Sequence, residues 1–183
     1  MRKLSMEELG RVNFEEYKKI EKNNICFVLD DIRSMSNVGS IFRSSDAFLV
    51  EKIYLCGITA KPPHREIEKT ALGATESVAW EYYENVIEII EKLKTQGWKI
   101  ISLEQADQSV LLHNFEFDKD EKYAIVLGNE VFGVKDEVIL VSDRVLEIPQ
   151  FGTKHSLNVS VTAGIILWDY YSKIIGKVLL MPS

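Results

Sequence analysis

The sequence predicts an α/β protein: a parallel sheet held between two helical layers as a three-layer sandwich. Two observations predict it. Short, continuously apolar runs alternate with amphipathic helical stretches, as expected of strands buried on both faces and joined by helical crossovers. Several of those runs end in loops rich in Gly, Asn and Ser, and ligands of such sheets sit at the carboxyl ends of strands. The 183 residues fit one domain with a sizeable core, residues 1–23 forming a helical extension and 24–175 the core.

Residues 5–22 read as an opening helix whose capping box pairs Ser5 with Glu8. "NICFVLDDI" (24–32) is the first buried strand. "SNVGSIFRSSDAF" (36–48) is a helix on which Ile41, Phe42, Ser45, Phe48 and the following Leu49 share one face, with Arg43 nearly opposite. Ser36 or Asn37 can cap it, and Gly39 lets its first turn approach a neighbour closely. "EKIYLCG" (51–57) is a second strand, and "KPPHREIEKTALGA" (61–74) a loop with one short helical turn. "SVAWEYYE" (77–84) is a third strand. A helix follows over 85–96, with Val86, Ile89, Ile90 and Leu93 on one face, Asn85 as cap and Gly97 as stop. "WKIISLE" (98–104), "YAIVLGNE" (123–130) and "RVLEIPQ" (144–150) complete six strands, with a short helix over 135–141 before the last. The closing helix, 157–175, is apolar nearly all round, so it is buried on more than one side, by its own chain or by another subunit.

Composition narrows the function classes. The formal charge of −6 argues against a generic, sequence-blind nucleic-acid binder but leaves room for a local basic patch. "MRKLSMEELGRVNFEEYKK" has no apolar run of the signal-peptide kind, and no stretch reaches the roughly 20 apolar residues of a membrane span. Cys26 and Cys56 lie in separate strands, the usage of buried, reduced thiols in a cytoplasmic protein. No metal is expected: neither the cysteines nor His64 and His155 have ligand spacing.

Three strand exits carry the chemistry. After the first strand comes "SMSNVGSIFR", where Arg43 offers a planar fork of donors suited to phosphate. After the fifth comes "LGNEVFGV" (127–134), in which Gly128 and Gly133 permit tight turns around Glu130, an acceptor-only carboxylate at neutral pH. It is neither a P-loop nor a dinucleotide fingerprint. After the sixth comes "IPQFGTKHSLNVSVTAG" (148–164): Pro149 ends the strand, Gly152 bends the loop, and Thr153, Ser156, Asn158 and Ser160 crowd the mouth of a helix that needs one cap. That surplus suggests polar groups aimed at a ligand as well as at the helix end.

These segments resemble the three motifs of the SpoU/TrmH family of RNA ribose 2′-O-methyltransferases, within the SPOUT superfamily. Asn37, Gly39 and Arg43 match an Asn-x-Gly-x-x-x-Arg motif; Gly128, Asn129, Glu130 and Gly133 match the second; Ile148, Pro149, Gly152 and residues 156–160 match the third in order. Any one motif is weak, but three in order, each after a predicted strand, are specific. The resemblance covers roughly residues 24–175. It implies a sheet whose C-terminal part is tied in a deep trefoil knot, a feature rare in proteins. It further implies S-adenosylmethionine as cofactor, S-adenosylhomocysteine as product, no metal, and a homodimer with shared active sites.

The same resemblance distributes roles. Arg43 takes the central one; because guanidinium stays protonated, binding RNA phosphate and stabilising developing alkoxide suit it better than acting as base. Asn37 would shape the loop and orient Arg43, Glu130 would orient its neighbours, and Ser156 and Asn158 would position Arg43 or the ribose, unless they only cap the helix. Leu103, Gly128, Ile148 and Leu157 would cradle the cofactor, with Gln105, Gly133 and Gln150 beside them. Gln150, followed by Phe151, departs from the methionine that many relatives carry after Ile-Pro.

Acidic residues crowd the opening helix, the 84–94 helix and "EFDKDE" (116–121), whereas Arg33, Arg43, Lys61, His64, Arg65, Lys69, Lys154 and His155 fall near the motif loops. A local cationic surface for RNA is therefore expected, with tRNA favoured over rRNA because only a short helix precedes the first strand. Two alternatives stay open: a cofactor-binding but non-catalytic RNA-interaction module, and an RNA base methyltransferase of the same fold.

Overall fold

The computed structural model describes residues 1–5 and 8–179. The opening helix is shorter than the sequence predicts. Helix α1 is Phe14–Lys19, and its capping box is Asn13 with Glu16: Glu16 N donates to Asn13 Oδ1 at 2.9 Å and Asn13 N to Glu16 Oε2 at 3.1 Å. Ser5 and Glu8 form the same reciprocal pair, at 2.8 and 3.3 Å, but Gly10 at φ +57° stops that turn from joining α1. Residues 6 and 7 of the expected helix lie outside the described residues.

Seven parallel strands form one sheet: β1 Asn23–Asp30, β2 Val50–Cys56, β3 Trp80–Tyr83, β4 Trp98–Leu103, β5 Val110–Leu111, β6 Lys122–Leu127 and β7 Arg144–Glu147, in the order β3-β2-β1-β6-β4-β7-β5. β5 is absent from the sequence reading, since two residues are too short to show periodicity. β3 begins later than expected because Gly73, at φ +89°, starts a helical turn, α4 Ala74–Ser77, that takes Ser77 out of the strand.

Alternate residues face opposite layers. Ile25, Phe27 and Leu29 of β1 pack beneath α2 Met35–Ala47, α3 Arg65–Ala71 and α7 Val159–Leu179. Cys26 and Val28 pack beneath α5 Val86–Thr95 and α6 Asp136–Val141. Both cysteines are buried free thiols. Asn85 caps α5 as expected, accepting from Ile87 N at 2.8 Å, and Gly97 follows its end at φ +81°. On α2, a side chain at Gly39 would collide with the Ile67 carbonyl and the Thr70 hydroxyl of α3, so this helix crossing depends on the missing Cβ. Ser45 is buried on the same helix, as its apolar face predicts, but its hydroxyl has no partner among the described residues. The strand order brings the carboxyl ends of β1, β6, β4 and β7 side by side, and the three motif loops leave from β1, β6 and β7.

Candidate active site

At the exit of β1 the cap of α2 is Ser34, not Ser36 or Asn37: Ser34 Oγ accepts from Asn37 N at 3.3 Å. That leaves the Asn37 side chain free of capping. Its Nδ2 donates to Glu130 Oε1 at 2.9 Å, and its Oδ1 accepts from Asn158 Nδ2 at 3.0 Å. Asn158 Oδ1 in turn accepts from Ser160 N at 2.9 Å and Ser160 Oγ at 2.7 Å. The direction of this chain is forced, since an ionised carboxylate can only accept and a backbone N–H can only donate, which fixes both amide orientations. Asn158 therefore does two jobs, capping α7 and holding Asn37. The helix itself starts at Val159, two residues later than expected.

Glu130 also accepts from Arg33 N at 2.9 Å and Ser34 N at 3.0 Å, at the positive end of α2. Burial pushes its carboxyl up, but the hydrogen bonds from Arg33, Asn37 and Ser34 outweigh burial and hold it below the usual carboxylate range. It stays ionised at neutral pH.

The loop after β6 is closed by a reciprocal backbone pair, Asn129 N to Gly133 O at 3.0 Å and Gly133 N to Asn129 O at 2.8 Å. A Cβ at Gly128 would run into the Gly133 backbone, and one at Gly133 (φ +68°) into the Glu104 carboxylate. Gly128 is thus demanded by close approach of backbone, and Gly133 by its left-handed backbone. Asn129 Nδ2 ties this loop to the β1 exit through Asp31 O at 2.7 Å. Glu104, at the exit of β4, accepts from Val134 N at 2.9 Å and Gln105 N at 2.8 Å, while Gln105 Nε2 donates to His155 O at 2.8 Å. Glu104 escapes a motif reading because nothing in its own segment points to the β6 loop it holds.

These loops enclose a cleft of about 680 Å³, within the size range of small-molecule sites. Leu103, Ile148 and Leu157 give it apolar surface, Gly128 and Gly133 bring backbone to its edge, and Gln105, Gln150, Ser156, Asn158 and Glu130 supply polar groups. The donor set fits S-adenosylmethionine: apolar walls suit an adenine, and the carboxylates of Glu104, Glu130 and Glu147 around the same space suit a cationic sulfonium and ammonium.

Arg43 stands apart. It is exposed on the outer side of α2, lines no part of the cleft, and has no hydrogen bond or ion pair among the described residues. Within this chain Asn37 and Asn158 contact each other and, through Asn37, Glu130; neither contacts Arg43. Both are held by bonds within the chain, whereas Arg43 is bonded to neither. Ser156 is exposed on the cleft wall with no side-chain hydrogen bond among the described residues.

A profile of the SpoU rRNA Methylase family matches residues 24–168. The chain belongs to that family. Among curated SpoU-type relatives, it is 34% identical over 160 residues to the tRNA (guanosine(18)-2′-O)-methyltransferase of Aquifex aeolicus, covering 85% of this chain and 72% of the relative. It is 31% identical over 143 residues to the 23S rRNA (guanosine-2′-O-)-methyltransferase RlmB of Neisseria meningitidis, covering 78% and 56%. The crystal structure of the A. aeolicus TrmH/SpoU tRNA modifying enzyme superposes with a TM-score of 0.80 at 26% identity, over 91% of this chain and 83% of that one. An AdoMet-bound rRNA methyltransferase from Sinorhizobium meliloti shares the fold, with a TM-score of 0.77 at 23% identity over 91% and 61%. The parallel sheet with helices on both faces is the fold of these SpoU neighbours, and membership makes this chain an RNA methyltransferase.

Proposed function

We propose that the chain transfers the methyl group of S-adenosylmethionine to a ribose 2′-hydroxyl of RNA, tRNA in preference to rRNA. The observation that carries this reading is the Glu130–Asn37–Asn158 chain at the lip of the cleft, with Arg43 exposed on the same helix. The names of the A. aeolicus relative and the A. aeolicus structural neighbour support tRNA.

When bound, the cofactor supplies an electrophilic methyl group. Leu103, Ile148 and Leu157 hold its adenosine among apolar surface, and Gln105 and Gln150 offer amides to its polar edges. Glu130, ionised and fully hydrogen-bonded, fixes Asn37 and through it Asn158. Ser156 presents a hydroxyl to the ribose. Arg43 binds phosphate and stabilises the negative charge that develops on the ribose 2′-oxygen, whose proton passes to water. Exposed cations at Arg33, Lys61, Arg65, Lys69 and Lys154, with the imidazoles of His64 and His155 among them, give RNA a local landing surface on an acidic protein.

Because Arg43 faces away from the cleft of its own chain, we read the active unit as a homodimer in which Arg43 serves the partner's cleft. Trp168, 61% exposed on α7, supplies apolar surface for that contact. The trefoil knot, the single core domain over 24–175 and a cytoplasmic setting belong to the same reading. No helix among the described residues is long and apolar enough to cross a membrane.

The test is transfer of labelled methyl from S-adenosylmethionine into separated pools of small and ribosomal RNA, for wild type and Arg43→Ala, followed by nucleoside analysis. Label in the small pool as a 2′-O-methyl nucleoside, with wild type only, is the expected result. A base-methylated nucleoside overturns the ribose assignment. Cofactor binding with no transfer into any pool overturns catalysis in favour of a binding module.

A further inference from the structure

The loop between β7 and α7 brings Gln150, Ser156 and Leu157 to the cofactor cleft, yet little holds it. Residues 151–158 are exposed throughout. Phe151 is 97% exposed, and a Cβ added at Gly152 would meet nothing within 4 Å, so packing against the body of the domain does not fix this segment. Hydrogen bonds must do so. At one end Asn158 Nδ2 donates to Asn37 Oδ1 at 3.0 Å. Just before it, His155 O accepts from Gln105 Nε2 at 2.8 Å, across 50 positions of chain. Among the described residues no other hydrogen bond reaches residues 151–157.

Between these two posts lie Ser156 and Leu157, the hydroxyl and the apolar wall that the cleft needs. Neither is held by a bond of its own, so their positions follow from His155 and Asn158. The Gln105 end is itself well anchored. Gln105 N donates to Glu104 Oε1 at 2.8 Å, and Glu104 Oε2 accepts from Val134 N at 2.9 Å. A run of bonds thus passes from the β6 loop through Glu104 and Gln105 to the β7 loop. The amide orientation is forced, because a backbone carbonyl only accepts, and it leaves Gln105 Oε1 available to the cofactor. A surface amide with no task would account for one exposed hydrogen bond. It would not account for that bond being the one hold on a segment that walls a cleft.

We infer that Gln105 is a positioning residue: by tying His155 it keeps Ser156 and Leu157 at the cleft and so sets how tightly S-adenosylmethionine is held. The inference rests on the methyltransferase reading above for the identity of the cofactor. Without the tie, the loop shifts toward positions in which Leu157 no longer walls the cleft, and cofactor affinity falls with the population of the walled form. The net strength of one neutral hydrogen bond corresponds to about a three- to tenfold change in an equilibrium constant.

The experiment compares wild type with Gln105→Glu and Gln105→Ala in the full chain. Gln105→Glu is close in shape and keeps an oxygen for the cofactor, but an ionised carboxylate cannot donate to His155 O. Were Gln105 only a cofactor contact, this variant would bind cationic S-adenosylmethionine at least as tightly as wild type. As a positioning residue it should weaken binding about three- to tenfold by calorimetry, and Gln105→Ala should do the same. The second readout needs no cofactor. Trypsin cuts after Lys154, next to the tied residue, and cleavage of a locally opened segment follows the population of the open form. Both variants should be cut there about three- to tenfold faster, with other sites and the melting temperature unchanged. Equal cutting at Lys154 in all three proteins, wild-type affinity in Gln105→Glu, or faster cutting everywhere with a lowered melting temperature overturns the proposal. Wild type that binds no S-adenosylmethionine overturns the methyltransferase reading instead, while cutting at Lys154 still judges the tie.

Discussion

Asn37 and Arg43 lie on one helix and belong to one motif, yet they are treated in opposite ways. Asn37 is buried, with both ends of its amide in use. Arg43 is exposed, with no partner among the described residues. One end of α2 is finished by its own chain, while the other presents a permanent cation to whatever lies outside. The difference separates two tasks. Positioning groups must be held before substrate arrives, since pre-set geometry lowers the cost of reaching the transition state. A group that meets phosphate or a second subunit must be left open.

The largest break of this contrast is Arg43→Ala. Removing a charge-stabilising donor typically costs about a hundred- to a thousandfold in rate. Because the side chain is exposed and unpaired, unfolding free energy should move by no more than about 0.5 kcal/mol. Methyl transfer and thermal melts on the same samples check both; a large loss of stability would mean that Arg43 is structural after all.

Glu130→Gln should do the reverse, acting on stability as well as rate. An amide cannot accept at both oxygen positions, so at least one of the Arg33, Ser34 and Asn37 donors loses its partner, at about 1–3 kcal/mol. The pH dependence has a definite sign. The Glu130 carboxyl lies below its ordinary value in the folded chain, so its contribution is complete above the unfolded value, near about pH 4.3. It is lost as pH falls through the lower folded value. The stability gap between wild type and Glu130→Gln should thus be widest at neutral pH and close in acid, as denaturant titrations at several pH values would show. The smallest effect sharpens the contrast from within the helix: Ser45→Ala removes a buried hydroxyl that has no partner and should stabilise by about 1 kcal/mol, read as a raised melting temperature with transfer unchanged.

Much of this was legible before any coordinates. Apolar runs located the central strands β1, β4 and β6 because a strand buried on both faces must be apolar along most of its length. The glycines are legible because a Cβ would meet neighbouring backbone at Gly39 in α2 and at Gly128 after β6, and because Gly133 has a left-handed backbone. What escaped depends on contacts distant in sequence. Nothing local marks Ser34 over Ser36 as the cap, since both types cap equally well. Nor does it mark Glu104 as the clasp of the β6 loop, or separate Asn37 from Arg43. The N-terminal helix is interrupted for a local reason: Ser5 and Glu8 form the expected capping box, but the left-handed backbone at Gly10 ends the turn that they start.

The spatial order of the strands has a consequence for how the protein comes to exist. β1 emerges early in synthesis, but its inner neighbour is β6, with Ile25 set against Tyr123, and Asn37 is joined to Asn158 across 121 positions of chain. At about 5–20 residues per second, the ribosome keeps the apolar inner edge of β1 waiting several seconds for its mate. Non-local parallel pairing is also intrinsically slow. A nascent chain that has made β1 and α2 therefore holds half a site and an unpaired strand edge. Assembly of the Glu130–Asn37–Asn158 chain then reports that synthesis has passed the start of α7, because Glu130 and Asn158 reach Asn37 only after that much of the chain has left the tunnel.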